Sequence, residues 1–243
     1  MQGREDRRAG QRSGSRGWKT ARRVRGETRG LPPATPEWLD GARLFMPQGY
    51  EPGHRYPLLV WLPDSDRFDL GRAMARTSLR NYVAVQPATT ADDGVWQAVD
   101  AASRRASVHP DRVYLVGHAA AGTAAFRLAC RHPRSFAGVV SIAGRFPLGE
   151  GLFAGVESLR RMPMLLCCAA DGSRDDAAHT DATLRLFHAA GAMLALRIYP
   201  RTSGLSRLVL ADVNRWIMED VCGPAARPQP ATAGRRAPPG LDS

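Results

Sequence analysis

The sequence predicts an α/β domain in which a mostly parallel, doubly wound sheet is covered by helices on both faces. Two observations support this prediction. Short, continuous apolar runs recur along residues 37–222, and stretches with apolar residues at helical spacing separate them. The 243-residue chain is also long enough to bury the core that such a domain requires.

The predicted strands are short apolar runs bounded by polar or turn residues. Residues 56–63 read Tyr-Pro-Leu-Leu-Val-Trp-Leu-Pro, which is apolar throughout. The later runs share this character and comprise residues 82–85, 113–116, 136–143, 162–169 and 193–199. Runs of this length and composition are typical of parallel strands buried on both faces.

Helices are predicted where apolar residues recur every three or four positions between these runs. The predicted helices are residues 68–79, 92–108, 120–132, 177–190 and 205–221. In the second of these, the apolar spacing is set by Val95, Val99, Ala102 and Ala106. In the fourth, we expect Leu184 and Phe187 to face the core. Regular alternation of strands and helices predicts βαβ units.

The formal charge of +11 lies mainly at the two ends of the chain. Residues 1–30 carry ten basic and three acidic side chains, and residues 223–243 carry three arginines, one aspartate and five prolines. We predict disordered tails at residues 1–36 and 223–243, flanking a nearly neutral domain at residues 37–222. The Arg-rich tail leaves open an acidic partner or, less favoured, nucleic acid, and an extension without a selected role is an equal alternative. The scattered arginines indicate a bias in coding composition.

The four cysteines show no spacing typical of a metal site and are Cys130, Cys167, Cys168 and Cys222. We expect them to be buried free thiols of a protein in the reducing cytoplasm. The sequence suggests no metal and no cofactor. No apolar run approaches the length that spans a bilayer, so no membrane association is expected.

One segment has the pattern of a nucleophile elbow, the sharp strand-to-helix turn that displays a catalytic serine. Residues 113–116 are apolar and lead into Gly-His-Ala-Ala-Ala-Gly at residues 117–122. The usual pattern is Gly-Xaa-Ser-Xaa-Gly, so Ala119 stands where the serine is expected. Gly117, Ala121 and Gly122 keep the small side chains that the crowded turn needs. A methyl group cannot attack a carbonyl carbon.

With this motif, residues 42–221 resemble the α/β-hydrolase superfamily, more narrowly its carboxylesterase/phospholipase, dienelactone-hydrolase or depolymerase-like branch. The resemblance rests on the sequences at residues 56–62, 111–118, 131–141 and 162–166. It implies an α/β-hydrolase fold. It also implies positions for a base, an acid and an oxyanion loop, which can each be checked against the residues present.

The expected base is a histidine in the loop after the last strand, which takes the proton of the serine. That loop, residues 200–206, contains Ser203 but no histidine, and no histidine follows it. His118 directly precedes the elbow position. In the family this position packs or lines the pocket and does not supply the base.

The expected acid follows the strand at residues 162–169, where Asp171 fits and Asp175 is the alternative. Without a histidine to orient, an aspartate in this turn is interpreted as structural. The expected oxyanion loop reads Pro63-Asp64-Ser65-Asp66. Proline has no N–H to donate, and the two carboxylates would oppose the negative charge that develops during ester hydrolysis.

The sequence therefore predicts a catalytically degenerate hydrolase homologue with a binding or scaffold role toward an unspecified small molecule or protein. The predicted vestigial pocket comprises Asp64, Ser65, His118, Ala119, Ala120 and Asp171. Two alternatives stay open. The chain could be an active carboxylesterase/phospholipase-like enzyme that uses a displaced serine, namely Ser141, Ser173 or Ser203, or a binder that acts through the Arg-rich tail.

Overall fold

The computed structural model describes residues 35–65, 68–152, 159–200 and 204–222. The strands are β1 Glu37–Leu39, β2 Ala42–Phe45, β3 Tyr56–Trp61, β4 Val83–Gln86, β5 Val108–His118, β6 Gly138–Ile142, β7 Met164–Ala169 and β8 Leu194–Tyr199. The helices are α1 Leu70–Thr77, α2 Asp92–Arg105, α3 Ala120–Arg131, α4 Arg174–Ala190 and α5 Arg207–Arg215, with a π-helix at Trp216–Val221.

These strands form one sheet in the spatial order β1-β2-β4-β3-β5-β6-β7-β8. The pairs from β4 through β3 to β8 are parallel, and the β1–β2 hairpin joins β4 in antiparallel orientation. The predicted α/β class with a mostly parallel sheet is therefore confirmed. All six residues of β3 are buried, as expected for a strand covered on both faces.

Each face of the sheet carries its own apolar core. On one face the core contains side chains of α2, α3 and α4, including Val95, Phe126 and Phe187. On the other it contains side chains of α1 and α5, including Met74 and Leu210. This division agrees with the alternation of strands and helices along the chain.

The hairpin formed by β1 and β2 was not predicted. Its turn is Asp40-Gly41, and both residues have positive φ angles, +46° and +79°. An Asp-Gly pair between short apolar segments is a strong hairpin signal, because both central residues of such a turn need a positive φ. The signal was present, but strands of three and four residues are too short to show periodicity.

Several predicted boundaries are wrong. Helix α2 ends at Arg105 rather than residue 108, because Val108 already pairs with Tyr56 at the start of β5. The last predicted helix begins at Arg207 and changes to a π-helix at Trp216. The β5 strand is consequently longer than the four residues predicted for it.

Helix α4 differs from the prediction at both its start and its buried face. It starts at Arg174 because Ser173 and Asp176 form a capping box. Phe187 is buried as predicted, but Leu184 is 37% exposed and the prediction that it faces the core is wrong. The buried stripe instead joins Thr183 and Phe187, which are one helical turn apart.

Apart from Thr35 and Pro36, the predicted tails at residues 1–36 and 223–243 lie outside the described residues. Asp66 and Ser203 also lie outside them. Among the described helices, none has both the length and the apolar character that a bilayer crossing demands.

Candidate functional site

The turn between β5 and α3 has a strained backbone at Ala119. This residue has φ +49° and ψ −121°, outside the regions that residues with a Cβ atom ordinarily occupy. Its N–H donates to the carbonyl oxygen of Ile142 at 2.9 Å, which ties the turn to β6. Such a conformation costs on the order of 1–3 kcal/mol. The chain holds this strained turn although the side chain displayed there is only a methyl group.

Close packing leaves no room for larger side chains around this turn. A Cβ atom at Gly117 would lie 2.2 Å from the carbonyl oxygen of Ala121. A Cβ atom at Gly122 would lie 2.4 Å from Oγ of Ser141. Both distances are far below van der Waals contact, so the small residues of the motif are required by the backbone path itself.

The loop after β3 places a carboxylate against the residue that precedes the turn. Oδ2 of Asp64 lies 2.6 Å from Nδ1 of His118, and Oγ of Ser65 donates to Oδ1 of the same carboxylate at 3.2 Å. The Asp64 and His118 side chains are 16% and 26% exposed. Asp64 is thus paired with an imidazole, a contact that the sequence did not suggest. We call these two side chains the Asp64–His118 pair.

The loop after β8 packs onto the other side of the imidazole. A Cβ atom at Gly204 would lie 2.7 Å from Nε2 of His118, so only glycine fits there without displacement. Nη1 of Arg76 donates to the carbonyl oxygen of Leu205 at 2.7 Å and holds this loop against α1. The loop predicted to carry the base therefore does reach the site, but in its described part it contributes backbone.

These elements enclose a cleft of about 390 Å³ at the carboxyl ends of β3 and β5. It is lined by Asp64, Ser65 and His118 together with Arg72 and Arg76 of α1. Ligands of open α/β sheets bind at this edge, outside the carboxyl ends of the strands. Of the six predicted pocket residues, the cleft brings together three, and its described lining does not include Ala119, Ala120 or Asp171.

A second cleft of about 600 Å³ adjoins Asp64 and Ser65 on the side of the β1–β2 hairpin. It includes Trp38, which is 70% exposed and has the guanidinium of Arg43 4.8 Å from its ring centroid. Oε1 of Gln86 is buried there and has no hydrogen-bond partner among the described residues. The sequence did not suggest this cleft, because the hairpin that forms one wall was not predicted.

The acid predicted after β7 has no histidine partner among the described residues. Asp171 is exposed in the turn after the strand, and Asp175 is exposed in the first turn of α4. The carboxylate with defined contacts is instead Asp176. Hydrogen bonds from Arg145 and Ser173 lower the pKa of Asp176 to about 2, which keeps this cap of α4 ionised.

Comparison with other sequences finds a short likeness to an esterase. A 49-residue stretch is 49% identical to NocK of Nocardia uniformis subsp. tsuyamanensis, a protein named as an esterase. That stretch is 20% of this chain and 14% of NocK. No protein-family model matches the chain.

Solved structures of hydrolases superpose on most of the chain. S-formylglutathione hydrolase FrmB of Staphylococcus aureus matches with a TM-score of 0.57 at 10% identity, covering 77% of this chain and 99% of FrmB. A ferulic acid esterase matches at 0.56 and 12% identity, with coverages of 72% and 90%. A thermostable esterase matches with a TM-score of 0.52 at 16% identity. The match covers 67% of this chain and 51% of the esterase, so this chain spans about half of that protein.

The chain has the α/β-hydrolase fold. Within this fold, the serines considered as displaced nucleophiles have structural contacts. Ser141 is fully buried and its Oγ donates to the carbonyl oxygen of Gly144 at 3.2 Å. Ser173 caps α4 by accepting from the N–H of Asp176. Ser203 lies outside the described residues. Neither described serine has a histidine partner among the described residues.

The other histidines of this α/β-hydrolase fold have separate contacts or face solvent. They are His54 at the Tyr56 ring, His109 accepting from the Asp111 N–H, His132 paired with Asp92, His179 bonded to the Phe146 carbonyl, and exposed His188. His118 is therefore the histidine that the described contacts associate with the cleft.

The four cysteines are free, and two of them are deeply buried. Burial raises the pKa of Cys130 and of Cys167 to about 12, so both thiols stay protonated at neutral pH and are poor nucleophiles. Cys168 and Cys222 are partly exposed, which corrects the expectation that all four are buried. Among the described residues, no cluster of three or more acidic, histidine or cysteine side chains could hold a metal.

Proposed function

We propose that the chain is a catalytically degenerate α/β-hydrolase homologue that binds a ligand instead of hydrolysing an ester through a covalent intermediate. The observation that carries the proposal is the elbow. Ala119 has the strained backbone of a residue displayed for attack, but it has no nucleophilic atom. The stretch of similarity to NocK and the superposed esterases support the fold, and the residue at the elbow argues against their chemistry.

The loss expected from this arrangement is large. Removing the complete triad of a serine hydrolase lowers turnover by about 10⁶-fold. At about 1.36 kcal/mol for each tenfold change in rate, this corresponds to roughly 8 kcal/mol of transition-state stabilisation. Pro63 has no N–H to offer an oxyanion, so the residual rate that an oxyanion hole normally leaves is expected to fall as well.

A binding role is supported by the state of the rest of the site. The cleft of about 390 Å³ persists, and its Asp64–His118 pair is held by Ser65 and by the packing of Gly204. A pair of this kind is a positioned hydrogen-bonding group that requires no elbow nucleophile. We further propose a reducing cytoplasmic location, which the four free cysteines support.

The proposal is tested with a fluorophosphonate probe and short-chain nitrophenyl esters. We expect no covalent labelling of the native protein, and no more ester turnover than is seen with a His118→Phe variant. A serine hydrolase labelled in parallel shows that the probe is active. Labelling that disappears when one serine is replaced would contradict the proposal and would identify a displaced nucleophile.

The same assay tests whether the missing serine alone accounts for the expected lack of activity, or whether the base is missing as well. We expect Ala119→Ser to be as inactive as the native protein. The imidazole of His118 bonds Asp64 through Nδ1 and faces Gly204 through Nε2, and the described lining of its cleft does not include Ala119, so the new hydroxyl would have no base beside it. Ala120→Ser, one residue along on the exposed start of α3, is the matched control. Esterase activity in the Ala119→Ser variant alone would show that a base is present after all.

A further inference from the structure

The Asp64–His118 pair defines which nitrogen of the imidazole carries a hydrogen. A carboxylate accepts hydrogen bonds and cannot donate them, so Nδ1 of His118 donates to Oδ2 of Asp64 across 2.6 Å. The hydroxyl of Ser65 occupies the other carboxylate oxygen at 3.2 Å. With its hydrogen on Nδ1, the neutral ring presents the lone pair of Nε2 as an acceptor.

Nε2 is on the side of the ring that is turned away from Asp64. Among the described residues it makes no hydrogen bond, and Gly204, which packs against it, has no side chain to donate one. His118 lines the cleft together with Gly204 and Leu205. The cleft therefore contains an oriented hydrogen-bond acceptor, Nε2 of His118, to which a ligand can donate.

Two guanidinium groups border the same cleft from α1. Arg72 and Arg76 are four residues apart, which places them on one face of the helix. Arg76 uses one N–H for the carbonyl oxygen of Leu205 and keeps the others. Asp69 also lines the cleft and offsets part of this charge: its Oδ1 caps α1 at the N–H of Arg72, and its Oδ2 lies 4.0 Å from Nε of the same arginine. The cleft thus combines two guanidinium donors and an imidazole acceptor with the carboxylates of Asp64 and Asp69.

We propose that this cleft binds a small anion that carries a hydroxyl group beside its charge. The anionic oxygens bind Arg72 and Arg76, and the hydroxyl donates its hydrogen to Nε2 of His118. The inference rests on the binding role proposed above and names the ligand class. A plain anion satisfies only the arginines, and a plain alcohol satisfies only the imidazole.

Two matched pairs of probes test the acceptor. Glycolate differs from acetate by one hydroxyl, and hydrogen phosphate differs from sulfate by the hydrogen that it retains at neutral pH. We expect glycolate and hydrogen phosphate each to bind about fivefold more tightly than their partners, since one net hydrogen bond is worth a factor of this size. Titration calorimetry or chemical-shift titration of the full chain measures the four constants. Equal affinities within both pairs would overturn the proposal.

Variants assign the two halves of the site. His118→Phe should abolish the preference for the hydroxyl-bearing probe and leave the weaker anion binding in place. Arg72→Gln should weaken all four probes by about threefold to tenfold, as expected for losing one charge-assisted hydrogen bond near solvent. Arg80→Gln, an exposed arginine outside the cleft, is the charge-matched control and should change none of them. A His118→Phe variant that keeps the preference would overturn the role of the imidazole.

The tautomer can be observed directly and independently of any ligand. Long-range ¹H–¹⁵N spectra of the native protein should show the His118 ring protonated at Nδ1, with His118→Phe providing the assignment. A ring protonated at Nε2 would overturn the proposal. Failure of this inference is distinguishable from failure of the proposed function, because labelling by the fluorophosphonate probe reports on a nucleophile and these measurements report on the imidazole.

Discussion

The elbow and the Asp64–His118 pair lie at the carboxyl ends of two neighbouring strands, but the chain retains different things at each. At the elbow it has a strained backbone conformation with a methyl group as the displayed side chain. Ala119 keeps φ +49°, and Gly117 and Gly122 keep the space that the turn needs. Beside it, Asp64 from the loop after β3 and His118 at the end of β5 form a hydrogen-bonded pair of polar side chains.

Under the proposed function, the elbow is a packing feature. A strained turn persists when the strand before it and the helix after it are both packed into the core, because relaxing it would move both. A hydroxyl group contributes nothing to that packing and can be lost without unfolding the protein. Under the proposed function, catalytic capacity and fold are separable at this position.

The largest expected effect is on the packing of the elbow. Gly117→Ala places a Cβ atom 2.2 Å from the carbonyl oxygen of Ala121, where backbone cannot yield cheaply. We expect the free energy of unfolding to fall by about 3 kcal/mol, at the upper end of the range for overpacking. Urea denaturation measures the change. Gly53→Ala, where a Cβ atom meets nothing within 4 Å, is the control. A loss for Gly117→Ala as small as that of the control would refute the packing interpretation.

A smaller effect concerns the Asp64–His118 pair. A double-mutant cycle with Asp64→Ala and His118→Ala should give a coupling energy of about 1–2 kcal/mol, because the pair is mostly shielded from water. The pair of Asp92 and His132, separated by 2.7 Å, is a natural comparison. Its side chains are more exposed, 33% and 35%, so its coupling should be weaker. Equal coupling energies in the two cycles would contradict the expectation that shielding from water strengthens the Asp64–His118 pair.

The strain at Ala119 predicts an effect of the opposite sign. Ala119→Gly should stabilise the protein by about 0.5–1 kcal/mol, since relief of the positive φ exceeds the entropic cost of glycine. Ala120→Gly, at the first residue of α3 where φ is not positive, should not stabilise it. Thermal and urea unfolding measure both. Destabilisation by Ala119→Gly would mean that the turn is relaxed and that its conformation carries no strain.

The smallest expected effect is on the pH dependence of stability, and it distinguishes Asp176, which caps α4, from Asp171, the predicted acid. The pKa of Asp176 is lowered to about 2, so this group stabilises the fold above its unfolded pKa, and that contribution is lost as the pH falls toward 2. Asp176→Asn should therefore flatten the pH dependence of the urea midpoint between about pH 4 and pH 2. Asp171→Asn should leave that profile unchanged. A change with Asp171→Asn instead would indicate a partner for the predicted acid.

Much of the fold could be predicted because apolar runs and helical spacing are local patterns. The buried strands β3, β6 and β7 follow from continuous apolar sequence, and their parallel arrangement follows from the intervening helices. The hairpin at residues 37–45 was missed because its strands are short, although Asp40-Gly41 carried the signal. Leu184 was misplaced because α4 buries only a narrow stripe through Thr183 and Phe187.

At the site, the sequence by itself determined the elbow and the residue displayed there, because a strand, a glycine and a helix in succession define that turn locally. Only the tertiary structure decided what surrounds it. Asp64 and His118 are 54 residues apart in the chain and meet because β3 and β5 are neighbours in the sheet. Gly204 reaches the same imidazole from the loop after β8. Contacts between distant segments depend on strand order and register, which no local pattern of residues encodes.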